Sequence, residues 1–329
     1  MPLVDTFGRK ITYLRISVTD RCNLRCQYCM PPEGVSSRTH DDILRYEEIE
    51  RLVRAAAGLG IKKVRLTGGE PLVRKGIVDL TAMLGRIPGI TELTMTTNAT
   101  LLARYAQNLA QAGLQRINIS LDTLQAEKYA HITRGGRLED ALAGIAAAEA
   151  AGLTPLKINT VVMRGLNEDE IADMAGLTLT HPWHVRFIEL MPLNNEAQTF
   201  DACNMRSHEV RAAIEAALGP LTPLEIARNG SGPADLYRLE GAQCTVGFIS
   251  PISEHFCASC NRLRLTADGR LRLCLLSEQE VDLKPLLRGG ADIAEIQEAL
   301  RQAIDAKPSG HRLAEHILPQ GRTMSQIGG

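Results

Sequence analysis

The sequence predicts an α/β fold: a partial (β/α)6 TIM-like barrel over residues 1–195, followed by a smaller C-terminal domain over 196–329 that closes it. Three observations predict this. Short strand-like runs alternate with helical patterns from about Tyr13 to Leu190. The resulting six βα units, at roughly 30-residue spacing, imply a parallel sheet with right-handed crossovers. Each strand is apolar on one phase and polar on the other, which fits helices on one face only and a wet concave face opposite. The rhythm then ends after Pro192. Six units are two short of a closed eight-stranded barrel.

The strands read Tyr13–Thr19, Lys62–Gly68, Thr91–Asn98, Arg116–Asp122, Leu156–Val162 and His184–Leu190. Their apolar phase holds Ile16 and Val18, Val64 and Leu66, Leu93 and Met95, then Ile117, Ile119 and Leu121. The polar phase holds Arg15, Ser17 and Thr19; Arg65 and Thr67; Thr94, Thr96 and Asn98; Asn118, Ser120 and Asp122; and Lys157 and Asn159. The sixth strand follows this pattern less cleanly. Between strands, Ile49, Leu52, Val53 and Ala56 form one helical face ahead of Gly58 and Gly60. Leu101, Leu102, Tyr105 and Leu109 form another, ahead of Gly113. Asn167 reads as the N-cap of the helix after Val162, with Glu168, Asp169 and Glu170 in its first turn. Further on, 227–235 reads as a flexible connection. Arg262–Thr266 and Arg270–Cys274 read as a hairpin turning at Asp268-Gly269.

With 44% hydrophobic and 23% charged residues, the 329-residue chain has the composition of a soluble globular protein. Its net charge of −1 gives no global field toward nucleic acid or membrane, and 4% aromatic residues are few for a nucleic-acid platform. No apolar run approaches the ~20 residues that span a bilayer, and Met1 to Arg9 lacks the apolar core of a secretion signal. Eight cysteines in such a chain point to metal or reactive thiols over disulfides. The expected compartment is therefore reducing, the cytoplasm.

Cys22-x3-Cys26-x2-Cys29 directly follows the first strand, at the C-terminal mouth where barrel enzymes place their chemistry. Three thiolates leave one iron of a [4Fe–4S] cube open, whereas a cluster kept for electron transfer normally has four cysteines. Structural zinc is normally four-coordinate, and only His40 stands near as a fourth ligand. A second set, Cys257-x2-Cys260-x13-Cys274, is brought together by folding the hairpin. Here spacing alone weighs zinc, with His255 adjacent, equally against iron–sulfur. Cys203 and Cys244 have no partner at metal spacing and read as buried free thiols. Gly68-Gly69-Glu70-Pro71 follows the second strand at the same mouth, where glycines let the backbone approach a ligand closely. Several basic groups on the inward face each cost several kcal/mol to bury without an anion. Acids such as Asp122 pair one or two of them, and phosphate suits the rest through charge-assisted, often bidentate hydrogen bonds. No Walker-type loop is present.

Cys22-Asn-Leu-Arg-Cys26-Gln-Tyr28-Cys29-Met-Pro together with Gly68-Gly69-Glu70-Pro71 resembles the radical S-adenosylmethionine (SAM) superfamily. With Cys257-x2-Cys260-Asn261-Arg262-Leu263-Arg264 and Gly328-Gly329, nearly the whole chain resembles the GTP 3′,8-cyclases of molybdenum-cofactor biosynthesis. Residues 196–256 are the least diagnostic. The resemblance implies two [4Fe–4S] clusters. The first, on Cys22, Cys26 and Cys29, chelates SAM through its open iron, and one electron splits SAM to methionine and a 5′-deoxyadenosyl radical. That radical takes hydrogen from C3′ of GTP, and C3′ attacks guanine C8 to give (8S)-3′,8-cyclo-7,8-dihydro-GTP. The second cluster, on Cys257, Cys260 and Cys274, contacts the guanine base.

The resemblance also implies SAM contacts from Tyr28, Gly69, Ser120 and Met191. GTP contacts are implied for Arg15, Arg65, Thr96, Lys157, Arg186, Arg262 and Arg264, and a catalytic role for a Gly328-Gly329 tail threaded into the site. Arg15, Arg65, Thr96, Ser120 and Lys157 all lie on the polar phase read independently from the strands. The implied partners are GTP, an electron donor of flavodoxin or ferredoxin type and the next enzyme of the pathway, with the chain a monomer or homodimer and neither nucleic acid nor membrane involved. Two other readings compete. One is a two-cluster radical SAM enzyme of the peptide-maturase type, which has no use for a triphosphate-sized basic face. The other is a zinc-stabilised binding module.

Overall fold

The computed structural model describes all residues except Met1, Ser37, 194–199, Asp201, 226–231, 316–318, Gln320 and Gly329. The expected boundary at 195 and most of the 227–235 connection lie outside the described residues. Strands β1 (Tyr13–Ser17), β2 (Lys63–Thr67), β3 (Glu92–Thr97), β4 (Arg116–Ser120), β5 (Leu156–Val162) and β6 (Trp183–Glu189) pair in parallel in chain order. All six lie within two residues of their expected ends.

The C-terminal part extends this wall on both sides, which the strand rhythm did not reveal. After β7 (Thr222–Pro223) and β8 (Asp235–Arg238), β9 (Val246–Ile249) adds to β6 in parallel. Strand β10 (Arg262–Leu265) adds to β1 in parallel, with Tyr13 opposite Arg262 and Arg15 opposite Arg264. Strands β11 (Arg270–Arg272) and β12 (Glu280–Asp282) continue antiparallel beyond β10, completing the expected hairpin with Arg264 opposite Arg272. One twelve-stranded sheet results, in the order β12-β11-β10-β1-β2-β3-β4-β5-β6-β9-β8-β7.

The core lies on the outer face of this wall. Ile16, Val18, Val64, Leu66, Met95, Ile117 and Ile119 are wholly buried in one cluster with the apolar faces of the surrounding helices. Each such side chain stabilises the fold by about 1.5–3 kcal/mol relative to exposure. In β6 the same phase is taken by Trp183, Val185 and Phe187, while Arg186 and Ile188 line the interior. Helix Tyr46–Gly58 buries Ile49, Leu52, Val53 and Ala56 as expected, and Glu48 accepts the Arg45 N–H at 2.6 Å. It runs through Gly58 and stops before Gly60, whose φ of +95° suits glycine.

Three expectations need correction. The Leu101–Leu109 face is split into a 3₁₀ turn, Leu102–Arg104, and a short helix, Ala106–Gln111. Asn167 does not cap its helix. Its amide instead donates to the carbonyls of Asp122 (2.7 Å) and Val161 (2.9 Å) and accepts the Met163 N–H, tying the ends of β4 and β5 together. Cys244 is buried, but Cys203 is half-buried beside the Met163–Asn204 bridge. Among the described residues no helix is long and apolar enough to cross a membrane.

Helix Leu138–Ala150 is pressed onto the turn after β3. A Cβ at Gly144 would stand 2.1 Å from the carbonyl oxygen of Ala99, which itself has φ +64°. Gly144→Ala is therefore expected to destabilise the fold by about 1–3 kcal/mol despite the better helix propensity of alanine. A thermal melt of the variant checks this, and an unchanged midpoint contradicts the contact.

Candidate active site

The polar phase of the wall faces a cavity of about 300 Å³ that runs from the first residues of β1, β2 and β10 to the loops at the C-terminal ends of the strands. Cys22, Cys26 and Cys29 line it from the loop after β1, all half-buried. Guanidinium groups hold that loop in shape. Arg25 donates to the carbonyls of Cys22 (2.6 Å) and Leu24 (2.9 Å), and Arg134 to that of Met30 (2.9 Å). Burial pushes the Cys22 thiol up to about 11, Cys29 up to about 12 and Cys26 well above its ordinary value. Three thiolates crowded in this wall need strong positive charge to exist together, and the iron of a bound cluster would supply it. N–H groups already point at sulfur, from Leu24 (3.4 Å) and the Asn98 amide (3.9 Å) to Cys22. This donor set fits a [4Fe–4S] cube.

The Gly68-Gly69-Glu70-Pro71 turn packs directly on that loop. Gly69 N–H donates to the Thr19 carbonyl (2.7 Å) and Glu70 N–H to that of Arg21 (2.9 Å). A Cβ at Gly69 would sit 2.3 Å from the Arg21 oxygen, so only glycine fits. Glu70 is buried and accepts from Leu72 N–H (3.0 Å), Thr97 Oγ1 (2.6 Å) and Asn98 N–H (2.8 Å). Burial outweighs those bonds and pushes its carboxyl up to about 7. The motif's acid thus ties the turn after β2 to the end of β3. Tyr28, Gly69, Ser120 and Met191 all line the cavity. Asp122 does not pair an arginine as expected. It accepts the Tyr28 hydroxyl (2.8 Å) and the Val161 N–H (2.8 Å), and burial pushes it up to about 6.

Arg15, Arg65, Thr96, Arg186, Arg262 and Arg264 line the same cavity. Lys157 lies on β5 one pleat before Asn159, beside the lining rather than in it. Lys63 joins the lining unforeseen, although it shares the phase of Arg65 and Thr67. Lys63 is neutralised by Glu92 at 2.6 Å. Arg65 donates to the hydroxyls of Thr94 (3.2 Å) and Thr96 (3.5 Å) and lies 5.7 Å from the centre of the Tyr13 ring. The Nε atoms of Arg186 and Arg262 are buried without a hydrogen-bond partner. Burial, then repulsion from Arg186 and Arg116, drags Lys157 down to about 6. Burial, then Arg65, brings Arg186 down to about 10, and burial, then Arg15, pulls Arg264 well below its ordinary value. For Tyr13, burial raises the phenol, but Arg65, Arg15 and Lys63 outweigh it and bring it down to about 8. A polyanion offsets all of these at once.

The second triad lines the same cavity beside the start of β10, whereas the first lies beyond the end of the neighbouring β1. Cys257 opens a 3₁₀ turn, Cys260 follows it, and Cys274 returns beside them after β11. Burial raises the Cys260 thiol, but Lys307 and Arg262 outweigh it and bring it below its ordinary value, whereas burial leaves Cys274 raised. His255 turns its ring edge-on to His311, centroids 5.5 Å apart. Among the described residues no group of three or more His, Cys, Asp or Glu is placed to hold one metal ion. A cube spreads its thiolates wider than a single ion does, so this bears on zinc and not on a cluster. The segment before the chain end enters the cavity too. Met324 and Ser325 line it, and the Gly328 carbonyl accepts from Arg264 Nη1 at 2.7 Å. Gly328 has φ +67°, and a Cβ there would stand 2.8 Å from Thr67 Cγ2. Gly329 lies outside the described residues.

Comparison with known proteins accords with this geometry. Residues 16–178 match the radical SAM superfamily and residues 183–313 match Molybdenum Cofactor Synthesis C. GTP 3′,8-cyclase of Pelotomaculum thermopropionicum is 55% identical over 99% of both chains. Those of Moorella thermoacetica and Geobacter sulfurreducens are 52% identical over 99% and 49% identical over 100% of both chains. Among solved structures, Streptococcus suis SuiB bound to its precursor peptide SuiA superposes with a TM-score of 0.62, over 98% of this chain and 76% of SuiB. At 13% identity that likeness shows the shared fold alone. The sequence identities reach further: the chain belongs to the radical SAM superfamily and, within it, to the GTP 3′,8-cyclase family.

Proposed function

We propose that this chain is a GTP 3′,8-cyclase acting in molybdenum-cofactor synthesis. The observation that carries the reading is one cavity walled by two cysteine triads, with Arg65, Arg186, Arg262 and Arg264 between them and no described carboxylate in ion-pair contact with those four. When bound, the first cluster and SAM supply radical chemistry that removes hydrogen from C3′ of GTP, whose carbon then joins guanine C8. Everything else falls to the chain's own residues. Cys22, Cys26 and Cys29 hold the first cluster, and the open backbone at Gly69, with Tyr28, Ser120 and Met191, frames SAM beside it. Arg15, Arg65, Arg186, Arg262 and Arg264, with Thr96 and Lys157, hold and orient the triphosphate and ribose. Cys257, Cys260 and Cys274 hold the second cluster against the base. The Gly328 segment covers the chamber and keeps water from the reacting carbon. A peptide substrate leaves those arginines unmatched. The reductant we assign is a one-electron protein donor of flavodoxin or ferredoxin type, in a reducing cytoplasm that suits eight free thiols.

Reduced, anaerobically reconstituted protein given SAM and GTP is expected to yield 5′-deoxyadenosine and cyclised GTP, and ATP little of either. Equal turnover of both nucleotides defeats the guanine assignment. Serine at Cys22, Cys26 or Cys29 abolishes SAM cleavage, whereas serine at Cys257, Cys260 or Cys274 mainly weakens GTP binding. Intact GTP affinity in the second group withdraws the ligand role of that cluster.

Lys157 gives a pH signature. Its value of about 6 in the anion-free cavity leaves it neutral at pH 7.5. A triphosphate favours the ammonium and raises that value, so binding takes up a proton. GTP affinity therefore falls as pH rises above about 6, by at most tenfold per unit for one proton. Calorimetry in two buffers of different ionisation enthalpy reads the uptake. Lys157→Met is expected to lose it, and identical uptake in the variant removes Lys157 from the triphosphate site.

At the tail, Gly328→Val places a β-branched residue at positive φ against Thr67. Turnover is expected to drop on the order of 10²-fold with both clusters retained. Unchanged turnover takes the tail out of the machinery.

A further inference from the structure

We propose that Lys307 is a positioning residue of the second cysteine triad, and that the charge of the cluster held there is its counter-ion. The inference rests on the iron–sulfur reading of that triad. Lys307 follows helix Ile293–Asp305 and is 2% exposed. Its ammonium donates to the Arg262 carbonyl (3.0 Å) and to the Leu273 carbonyl, and stands 3.9 Å from Cys260 Sγ. None of these acceptors is a carboxylate. A buried ammonium held by dipoles alone costs several kcal/mol. Three thiolates around a dicationic cube leave one net negative charge, and it lies next to this ammonium.

The anchoring points define the role. Arg262 is two residues past Cys260, and Leu273 immediately precedes Cys274. One ammonium therefore sets the separation of the two arms and points a cationic N–H at a ligand sulfur. Cys257 is braced differently. Arg9 donates to its carbonyl (2.9 Å) and to those of Pro308 (2.6 Å) and Ser309 (2.9 Å), while Asp5 neutralises Arg9 at 2.5 Å. A Cβ on Gly310 would lie 3.3 Å from Cys257 Cβ, so the 307–310 segment is the floor on which the triad rests. Of the two buried cations in this floor, Arg9 is in direct contact with Asp5, whereas Lys307 has no carboxylate in ion-pair contact among the described residues. Cationic donors to cluster sulfur stabilise the reduced, more negative state and make the potential more positive.

The test uses the holoenzyme and a Cys22→Ala, Cys26→Ala, Cys29→Ala background that isolates the second cluster. Iron, sulfide and the EPR-monitored midpoint potential are read for wild type, Lys307→Gln and Lys307→Met. Glutamine keeps a donor to one carbonyl and removes the charge. The expected result is a more negative second-cluster potential in Lys307→Gln, and a larger shift or loss of that cluster in Lys307→Met, with the first cluster unaltered. If Lys307→Met does not fold, Lys307→Gln decides. A second cluster of wild-type content and potential in Lys307→Gln overturns the proposal. Wild-type protein that binds only one cluster overturns instead the reading of the triad on which it rests.

Discussion

Positive charge held on the inner face of a parallel sheet by Arg65, Arg186, Arg262 and Arg264, with no described carboxylate in ion-pair contact, is the constraint around which this molecule is arranged. Arg65, Arg186, Arg262 and Arg264 point into one cavity from β2, β6 and β10, and among the described residues what they meet is hydroxyls, a carbonyl and the rings of Tyr13 and Phe256. A protein selected for stability alone would cover these strands with apolar side chains on both faces, as parallel sheets usually are. The outer face supplies the cohesion instead, through an unbroken layer of aliphatic side chains against helices. The inner face is thereby free to be unfavourable until an anion arrives.

The acids near the cavity are used on the backbone. Glu70 collects two amide N–H groups and a hydroxyl, Asp122 an amide and a phenol, and Glu170 the Leu124 N–H and the Thr123 hydroxyl. Glu189 does the same at the end of β6 with Ser207, Ile252 and Ser253. Glu70, Asp122 and Glu189 sit where a strand gives way to a loop and Glu170 closes the 3₁₀ turn ahead of the next helix, and the loops so fixed include those that carry the first triad and its glycine turn. Carboxylates satisfied in this way have little capacity left to quench the arginines. The rigidity of the mouth and the charge of the chamber share one cause.

Much of this was legible locally. Period-two alternation gave the six strands, cysteine spacing both triads, and Asp268-Gly269 the hairpin. Lys63 was also legible, since it stands two residues before Arg65 in the same strand. The features that escaped depend on long-range partners. Val246–Ile249 is too short to announce that it pairs with β6. Asn167 has the residue type and position of a cap, and only the nearness of the Asp122 carbonyl shows its real use. Lys307 meets Cys260 and Leu273 from 47 and 34 residues away, beyond any periodic signal.

The sheet order has a consequence for how the chain is made. Strand β1 stays open on one edge until Arg262 arrives to pair with Tyr13, and β6 waits for Val246. At ribosomal rates of about 5–20 residues per second, the edge of β1 waits on the order of ten seconds or more after β2 has emerged. Unpaired strand edges are templates for the wrong partner. The nascent barrel is thus most vulnerable to aggregation during its own synthesis, and whatever shields it must attend the ribosome rather than the finished protein.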